Sequence, residues 1–209
     1  MSRVFLLSPA RASGRRAHLL TRPQANFELA RRVQIGDATI GEIFTFCSGL
    51  YFRGKLTYAR KFASLDHHEA GVLIITPSRG LLPPETPIGL SELREFSKVE
   101  VDAAEPRFTG PLKSSARALA ESATGEVVLL GSIATGKYVE TLLPVFGARL
   151  VFPREFVGRG DMSRGGLLLR TAALGEELEY IALAGATRRG GRPPRLPAMA
   201  IRRRGGTPQ

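Results

Sequence analysis

Val-Val-Leu-Leu-Gly-Ser-Ile-Ala-Thr-Gly-Lys-Tyr, residues 127–138, is the stretch that decides the fold class. Its first four residues are apolar in succession, as in a strand that is covered on both faces. A turn of small and polar residues follows, and Tyr138–Phe146 then has the spacing of a helix. A strand that passes through a polar turn into a helix is the repeating unit of α/β sheets.

The same alternation of apolar runs and helical stretches extends over most of the chain. The predicted strands are Val4–Leu7, Ile43–Phe46, Val72–Thr76, Val127–Leu130, Arg149–Phe152, Leu167–Arg170 and Leu178–Leu183. The predicted helices are Gln24–Val33, Lys55–Ala63, Leu90–Phe96, Leu112–Ser122 and Tyr138–Phe146, with Ser91 as one cap and Pro111 near the start of the fourth. This pattern predicts one α/β domain whose central mixed or largely parallel sheet is flanked by helices.

Most of the net positive charge lies near the carboxyl terminus. The chain of 209 residues carries a net charge of +11. Residues 187–209 hold seven arginines and no acid, which leaves +4 on residues 1–186. Because the last segment lacks the apolar surface to form a core, we predict an α/β domain at 1–186 and a flexible basic tail at 187–209. The tail either binds phosphates or is a solvated end.

The composition also restricts location and cofactors. No apolar run approaches membrane-spanning length, so the sequence predicts no transmembrane helix and no membrane partner. Cys47 is the only cysteine, which excludes an internal disulfide and fits a reducing cytoplasm. With no adjacent base, this cysteine is expected to be a small buried residue rather than a nucleophile. Asp66–Glu69 contains two histidines, but adjacent loop residues rarely converge on one ion, so we predict no metal site and no cofactor.

Polar residues follow several of the predicted strands. They include Ser8, Ser48 with Tyr51, Thr76 and Ser132, each at or just after a strand. In open α/β sheets ligands bind outside the carboxyl ends of the strands, so these hydroxyl groups are expected to border one cleft. Turn chemistry alone would also place serine, glycine and proline at such positions.

Gly131–Tyr138 has the G-x-x-x-x-G-K spacing of a phosphate-binding loop between a strand and a helix. The eighth position of that motif is a serine or threonine that coordinates magnesium, and Tyr138 is too long for that role. We therefore do not expect a nucleoside triphosphatase. Backbone amides and Lys137 at a strand-to-helix turn can still bind a single phosphate.

Two further segments carry unusual charge. Phe156–Gly166 places Arg159 and Arg164 among glycines, together with Asp161 and Ser163. Arginine forks grip phosphate or a guanine edge, whereas the simpler alternative is a surface turn with an Arg159–Asp161 ion pair.

The second segment follows the predicted strand at 43–46. It combines Tyr51 and Tyr58 with Arg53 and Lys55. Such residues either stack on bases and bind phosphates or form an amphipathic helix with half-buried tyrosines.

Five segments resemble, in order, motifs of the YaaA family, whose members are associated with peroxide stress and described as DNA-binding. They are Val4–Ala10 (a strand followed by I-S-P-A-K), Phe46–Gly54 (F-x-G-D-V-Y-x-G-L), Thr76–Pro84 (S-G-L-Y-G-x-L-R-P-L-D), Leu130–Tyr138 (L-A-S-x-E-Y) and Gly158–Arg164 (A-R-G-x-M-S-R). The family's Asp in the second segment falls on Gly49, and its Tyr and Arg in the third fall on Arg79 and Pro83, which indicates a divergent branch. The resemblance implies a mixed α/β fold with a DNA-binding helical element, and it does not by itself transfer an activity.

Two functions fit these observations. The first is an enzyme that modifies a purine base in DNA, or a related nucleobase, by metal-free hydration or group exchange, with the base flipped out of the stack. The second is a non-catalytic DNA-binding protein of stress protection. The predicted catalytic residues are Ser8, Ser48, Tyr51, Thr76, Ser132, Asp161 and Ser163, and the predicted nucleic-acid or phosphate ligands are Arg53, Lys55, Arg79, Lys137, Arg159 and Arg164. Because Arg164 stands beside glycines, we expect Arg164→Ala to leave the fold intact.

Overall fold

A six-stranded sheet forms the centre of the protein. The structure, a computed structural model, describes residues 3–63, 71–194 and 196. The strands of the main sheet are β1 (Arg3–Leu7), β3 (Val72–Ile75), β4 (Leu81–Leu82), β6 (Glu126–Leu130), β7 (Leu150–Pro153) and β8 (Tyr180–Ala182), in the order β4-β3-β1-β6-β7-β8. The four central strands are parallel, and the edge strands β4 and β8 are antiparallel to their neighbours. The predicted single α/β domain with a mixed, largely parallel sheet is therefore confirmed.

Eight α-helices surround this sheet in the described part of the chain. They are α1 (Arg15–Thr21), α2 (Glu28–Ile35), α3 (Ile40–Ser48), α4 (Leu50–Phe62), α5 (Leu90–Ser97), α6 (Pro106–Ser122), α7 (Gly136–Phe146) and α8 (Asp161–Leu174). Two short strands, β2 (Ala38–Thr39) and β5 (Pro87–Ile88), pair beside the main sheet. Helix α4 lies on β1 and β3 and packs against α8, whereas α6 packs against α7, which lies on β7.

Two predicted strands are wrong, because both apolar runs lie inside helices. Ile43–Phe46 belongs to α3, which starts at a capping box: the Thr39 hydroxyl accepts from the Glu42 amide at 3.3 Å, and the Glu42 carboxylate accepts from the Thr39 amide at 2.9 Å. These bonds satisfy amides that the first helical turn leaves unpaired. Leu167–Arg170 lies in the middle of α8. A short apolar run does not distinguish a buried strand from a buried helix segment.

One predicted helix cap and one predicted helix start are also wrong. Helix α5 begins at Leu90 after Gly89, so Ser91 is not its cap. Pro111 lies inside α6, whose first turn instead contains Pro106. Proline is well placed in a first turn because the missing N–H has no helical partner there.

The contact between α4 and α8 depends on two glycines. A side chain at Gly54 would place its Cβ 2.7 Å from the backbone oxygen of Gly165, and one at Gly165 would come 2.8 Å from the Cα of Tyr51. The two backbones therefore touch directly, and neither position has room for a methyl group. This close crossing fixes Tyr51 and Lys55 of α4 beside Arg164 of α8.

The described part of the basic segment lies against the domain. Residues 187–194 and 196 contain no helix or strand, but the Arg159 guanidinium donates to the Pro194 carbonyl at 3.5 Å and Leu196 packs on the core. Arg195 and the arginines at 202–204 lie outside the described residues, as do Asp66–Glu69. No helix in the described chain has both the length and the apolar character needed to cross a bilayer.

Candidate functional site

The topology of the sheet marks one place where a ligand pocket is expected. From β1 the chain proceeds to β3 on one side, and from β6 it proceeds to β7 on the other side. The switch point therefore lies between the neighbouring strands β1 and β6, and open α/β sheets bind ligands at the carboxyl ends of such strands. Ser8 follows β1 here and donates its amide to the Leu130 carbonyl at 3.1 Å. The ideal Cβ position of Gly131 lies 3.0 Å from the Ser8 Cβ, so a larger residue at 131 would crowd Ser8.

A buried lysine reaches this switch point from α4. Lys55 is 1 % exposed, and its Nζ contacts the Ser8 carbonyl oxygen and lies 2.8 Å from the Ser8 Oγ. The amine also lies 4.5 Å from the ring centre of Tyr51 and 4.9 Å from that of Phe52. In the described part of the chain no carboxylate forms an ion pair with it. An unpaired buried ammonium is strongly disfavoured, so this environment favours the neutral amine.

The acid–base properties of the cluster follow from its burial. Burial lowers the pKa of Lys55 to about 7, with Asp161 opposing this shift and Arg164 adding to it. Burial raises the pKa of Tyr51 to about 12, and it also raises the pKa of Tyr138, whose hydroxyl interacts with Tyr51 and Ser8. At neutral pH the cluster thus combines an amine close to its pKa with two protonated phenols. A base with a pKa near the working pH is suited to proton transfer.

One hydroxyl of this cluster has no partner. Tyr51 is 6 % exposed, and its hydroxyl oxygen is buried without a hydrogen bond to any described residue. Arg164 lies near enough to oppose the rise in its pKa, but not in hydrogen-bond geometry. Buried hydroxyl groups are normally satisfied, so an unpaired one beside a buried lysine is a position where a bound molecule would find a donor.

Arg164 is an internal residue, contrary to the prediction. It is 6 % exposed, donates to the Phe156 carbonyl at 2.9 Å and 3.3 Å, and its guanidinium carbon lies 5.2 Å from the Phe156 ring centre. It also lies 3.8 Å from the exposed carboxylate of Asp161, one helical turn away. Its fixed positive charge acts on the Lys55 cluster from within the protein. These contacts predict that Arg164→Ala destabilises the fold, in contrast to the expectation drawn from its glycine neighbours.

An open cleft adjoins the cluster at Tyr138. It has a volume of about 740 Å³ and is lined by the loop after β1, Pro77 after β3, the segment after α5, and the start of α7. Its charged lining consists of Arg11, Lys98, Glu100, Asp102 and Lys137. A cavity of this size accommodates a nucleotide-sized ligand. Tyr138 borders the cleft on one side and the buried cluster on the other.

Several predicted site residues have structural partners instead. Thr76 is fully buried and closes a turn, donating to the Gly80 carbonyl at 2.9 Å and accepting from the Arg79 amide at 2.9 Å. The guanidinium of Arg79 pairs with Glu95 at 2.8 Å and Glu92 at 3.6 Å. These contacts leave neither side chain as a free site group in this structure.

Ser48 is the last residue of α3 and does not follow a strand. Lys55 is buried and therefore cannot be the exposed phosphate ligand that was predicted.

The other predicted residues occupy two regions. Arg159 donates to the Ser163 hydroxyl at 3.2 Å, and both stand near Asp161 at the start of α8. The Arg159–Asp161 ion pair, considered as the simpler alternative, does not form; the Asp161 carboxylate lies 3.8 Å from Arg164 instead. Ser132 is half-buried after β6, and Lys137 lines the cleft. Arg53 is exposed on α4 and lines a different cavity, together with Phe27 and Phe46.

The glycine-rich turn after β6 is less suited to phosphate than its spacing suggests. The Glu140 carboxylate lies directly over Gly136, at the first turn of α7. A carboxylate there competes with any phosphate for the amides at the helix start. The eighth motif position also holds Tyr138 instead of a serine or threonine, and both observations disfavour a nucleoside triphosphatase.

In the described part of the chain, neither Cys47 nor the acidic residues form an alternative catalytic or metal centre. Burial raises the pKa of the Cys47 thiol to about 12, so it is protonated at neutral pH and is a poor nucleophile. Within 3–63, 71–194 and 196, no group of three or more His, Cys, Asp or Glu side chains is arranged to hold a metal ion.

Sequence reasoning missed the burial of Lys55 and the role of Tyr138. Lys55 stands four residues after Tyr51, so both lie on one face of α4, and their neighbours Phe52, Leu56 and Ala59 are buried. The apolar residues around Lys55 were the available signal for an internal lysine. Tyr138 was considered only as a failed magnesium ligand.

Comparisons with protein-family models, with curated proteins and with solved structures found no match for this chain. The resemblance to the YaaA family therefore stays a prediction that rests on the five quoted segments.

Proposed function

We propose that this protein is an enzyme that modifies a purine base in DNA, or a related nucleobase, by hydration or group exchange, with Lys55 as the base. The observation that carries this proposal is the buried Lys55–Ser8 contact at the switch point between β1 and β6. Keeping an unpaired lysine in a protein interior is unfavourable, and strongly shifted titratable groups beside a cleft are characteristic of functional sites.

The chemistry of hydration can be written with these side chains alone. The neutral Lys55 amine accepts a proton from the attacking water, directly or through the Ser8 hydroxyl. The water oxygen bonds to an electron-poor ring carbon, and the electron pair of its C=N bond moves to the ring nitrogen. The Lys55 ammonium then returns the proton to that nitrogen. In group exchange, the electron pair on the ring nitrogen re-forms the C=N bond, the bond from the ring carbon to the exocyclic amine breaks, and the Lys55 ammonium gives its proton to the departing amine. Tyr51 donates its unused hydroxyl hydrogen to the atom where negative charge develops.

The cleft supports a nucleobase as the substrate class. Its positive side chains, Arg11, Lys98 and Lys137, can hold a phosphate or sugar-phosphate group, while Glu100 and Asp102 can accept hydrogen bonds from exocyclic amines. A base that is part of a nucleic acid strand would have to leave the stack to reach Tyr138. We place this activity in the cytoplasm, on the basis of the single cysteine.

Purine substrates test the proposal directly. Wild-type protein is incubated with a panel of purine nucleosides, nucleotides and purine-containing oligonucleotides, and products are identified by mass spectrometry. We expect the mass of one class to increase by one water or to show exchange of a ring substituent. Turnover should rise as the pH increases through about 7, because only the unprotonated Lys55 amine accepts a proton. Lys55→Met should abolish turnover, and the exposed Lys61→Met on the same helix should not.

The alternative is a non-catalytic DNA-binding protein, which the net charge of +11 favours. Under this alternative the wild-type protein would alter no purine in the panel. Hydrolysis of ester or amide substrates, with purines untouched, would instead point to acyl transfer by Ser8 and would overturn the nucleobase proposal.

A further inference from the structure

The amino-terminal part of the chain forms a surface with a strong excess of positive charge. Its first acidic residue is Glu28, and the preceding residues include Arg11, Arg15, Arg16 and Arg22. These four arginines are exposed, and no described carboxylate forms an ion pair with them. Their environment contrasts with that of Arg60, Arg107 and Arg154, each of which pairs with a glutamate.

Aromatic rings continue this charged surface. Arg16 donates to the Phe46 carbonyl at 3.3 Å, and the Phe46 ring stacks on that of Phe27 with centroids 5.6 Å apart and 27° between the planes. Phe27 is 39 % exposed, so part of its ring faces solvent. Arginines and an exposed aromatic ring thus lie side by side over α1 and the segment that follows it.

The surface also adjoins the cleft of the proposed active site. Arg11 and Ser13 line the cleft, and α1 begins two residues later at Arg15. A chain of phosphates held along α1 would therefore reach the cleft at Arg11. The surface and the Lys55 cluster would then act on the same polymer.

We infer that the α1 surface, formed by Arg11, Arg15, Arg16, Arg22 and Phe27, binds a single-stranded nucleic acid and leads one of its bases toward the cleft. The arginines contact successive phosphates, and Phe27 stacks on an unpaired base. An extended single strand fits better than a duplex, because only unpaired bases offer free faces to the phenyl ring. The role given to the cleft in this inference rests on the proposed function, but binding to the α1 surface can be tested without any turnover.

The test measures binding of a fluorescein-labelled single-stranded DNA of mixed sequence by fluorescence anisotropy over a range of salt concentrations. The first variant replaces Arg15, Arg16 and Arg22 by glutamine. The matched control replaces the exposed Arg107, Arg117 and Arg154 by glutamine, which changes the net charge equally. The full chain, including the basic segment after residue 186, is used throughout.

We expect the α1 variant to bind at least tenfold more weakly at low salt and to lower the slope of log K against log salt by about 2, since each phosphate contact on a single strand contributes about 0.7. The control should bind like the wild type. Phe27→Ala should weaken binding roughly tenfold with an unchanged salt slope, because stacking releases no counterions.

Three results would overturn the inference. Equal losses in the α1 variant and the control would show that only net charge matters, and no loss in either would place the binding elsewhere. If the α1 variant instead lost binding to vesicles containing anionic lipid while its DNA binding was unchanged, the surface would be a membrane contact. The anisotropy measurement requires no turnover, so failure of the proposed catalysis would leave this test unaffected.

Discussion

The protein contains two groups of positive side chains that their sequences do not distinguish but their surroundings do. Lys55 and Arg164 are buried at the carboxyl edge of the sheet, where their bonds are to backbone and hydroxyl oxygens. Arg15, Arg16 and Arg22 are exposed on α1. Burial lowers the pKa of a lysine ammonium, so that it can lose its proton near neutral pH, whereas exposed arginines remain charged and suit phosphates. The comparison separates a site for proton transfer from a surface for binding.

Lys55→Arg is expected to have the largest effect. A guanidinium at this position cannot lose its proton, so the buried charge would lower the free energy of unfolding by about 3–5 kcal/mol. Lys55→Met has a similar length and no charge, and it should stay within about 1–2 kcal/mol of the wild type. Urea unfolding followed by circular dichroism gives both values. Equal stability of the two variants would indicate that this position tolerates a permanent charge and would weaken the comparison.

Arg164→Ala comes next. Loss of the guanidinium leaves the Phe156 carbonyl without its two hydrogen bonds, and we expect a decrease of about 2–3 kcal/mol in the free energy of unfolding. Arg15→Ala on the exposed helix is the matched control and should change this value by less than about 0.5 kcal/mol. Similar values for the two variants, measured by urea unfolding, would contradict the assignment of Arg164 to the buried group.

The glycines between α4 and α8 offer a smaller effect. Gly165→Ala should decrease the free energy of unfolding by about 1–2 kcal/mol, because the added methyl meets the backbone at Tyr51, although alanine favours the helix. Gly166→Ala is one residue away, where the nearest atom to an added Cβ is 3.9 Å distant, and should leave stability equal or slightly higher. If thermal unfolding instead showed Gly166→Ala to be less stable than Gly165→Ala, the close crossing of α4 and α8 would not be what positions Lys55 beside Arg164.

The sequence predicted the sheet better than the site. Val4–Leu7 and Val127–Leu130 carry enough local information, because successive apolar residues bounded by polar turns define strands in a parallel sheet. Leu167–Arg170 has the same apolar character but follows a helix start at Asp161, so the local pattern was ambiguous. The ends of β1 at Leu7 and of β6 at Leu130 were predicted correctly, because both sequences contain the strand-to-loop transition.

The partners of individual site residues were not predictable in this way. Thr76 closes a turn with Gly80, and Arg79 pairs with Glu92 and Glu95, which belong to a later helix. Lys55 meets Ser8 only through the packing of α4 on β1, 47 residues away in the chain. Such pairings depend on tertiary distances, and a single sequence does not contain them. Six cationic side chains were therefore predicted to bind nucleic acid or phosphate, although two of them, Lys55 and Arg164, are buried.

The smallest effect on stability is expected on α1. Replacement of Arg15, Arg16 and Arg22 by glutamine removes exposed charges without ion pairs, so each change should alter the free energy of unfolding by less than about 0.5 kcal/mol. Urea unfolding of the triple variant checks this expectation. A much larger decrease in the free energy of unfolding would mean that these arginines stabilise the fold. The distinction between buried structural cations and exposed binding cations would then not hold.

The pKa of the Lys55 amine tests the central claim most directly. Selective labelling of lysine side chains with carbon-13, with Lys55→Met to assign the signal, allows the titration of the ε-carbon to be followed by NMR. Burial against Ser8, Tyr51 and Phe52 predicts a midpoint near pH 7 for Lys55, while Lys61 on the same helix serves as the exposed reference. A midpoint near the ordinary lysine value of about 10.4 would show that the amine stays charged at neutral pH, and Lys55 would then not be the base of this site.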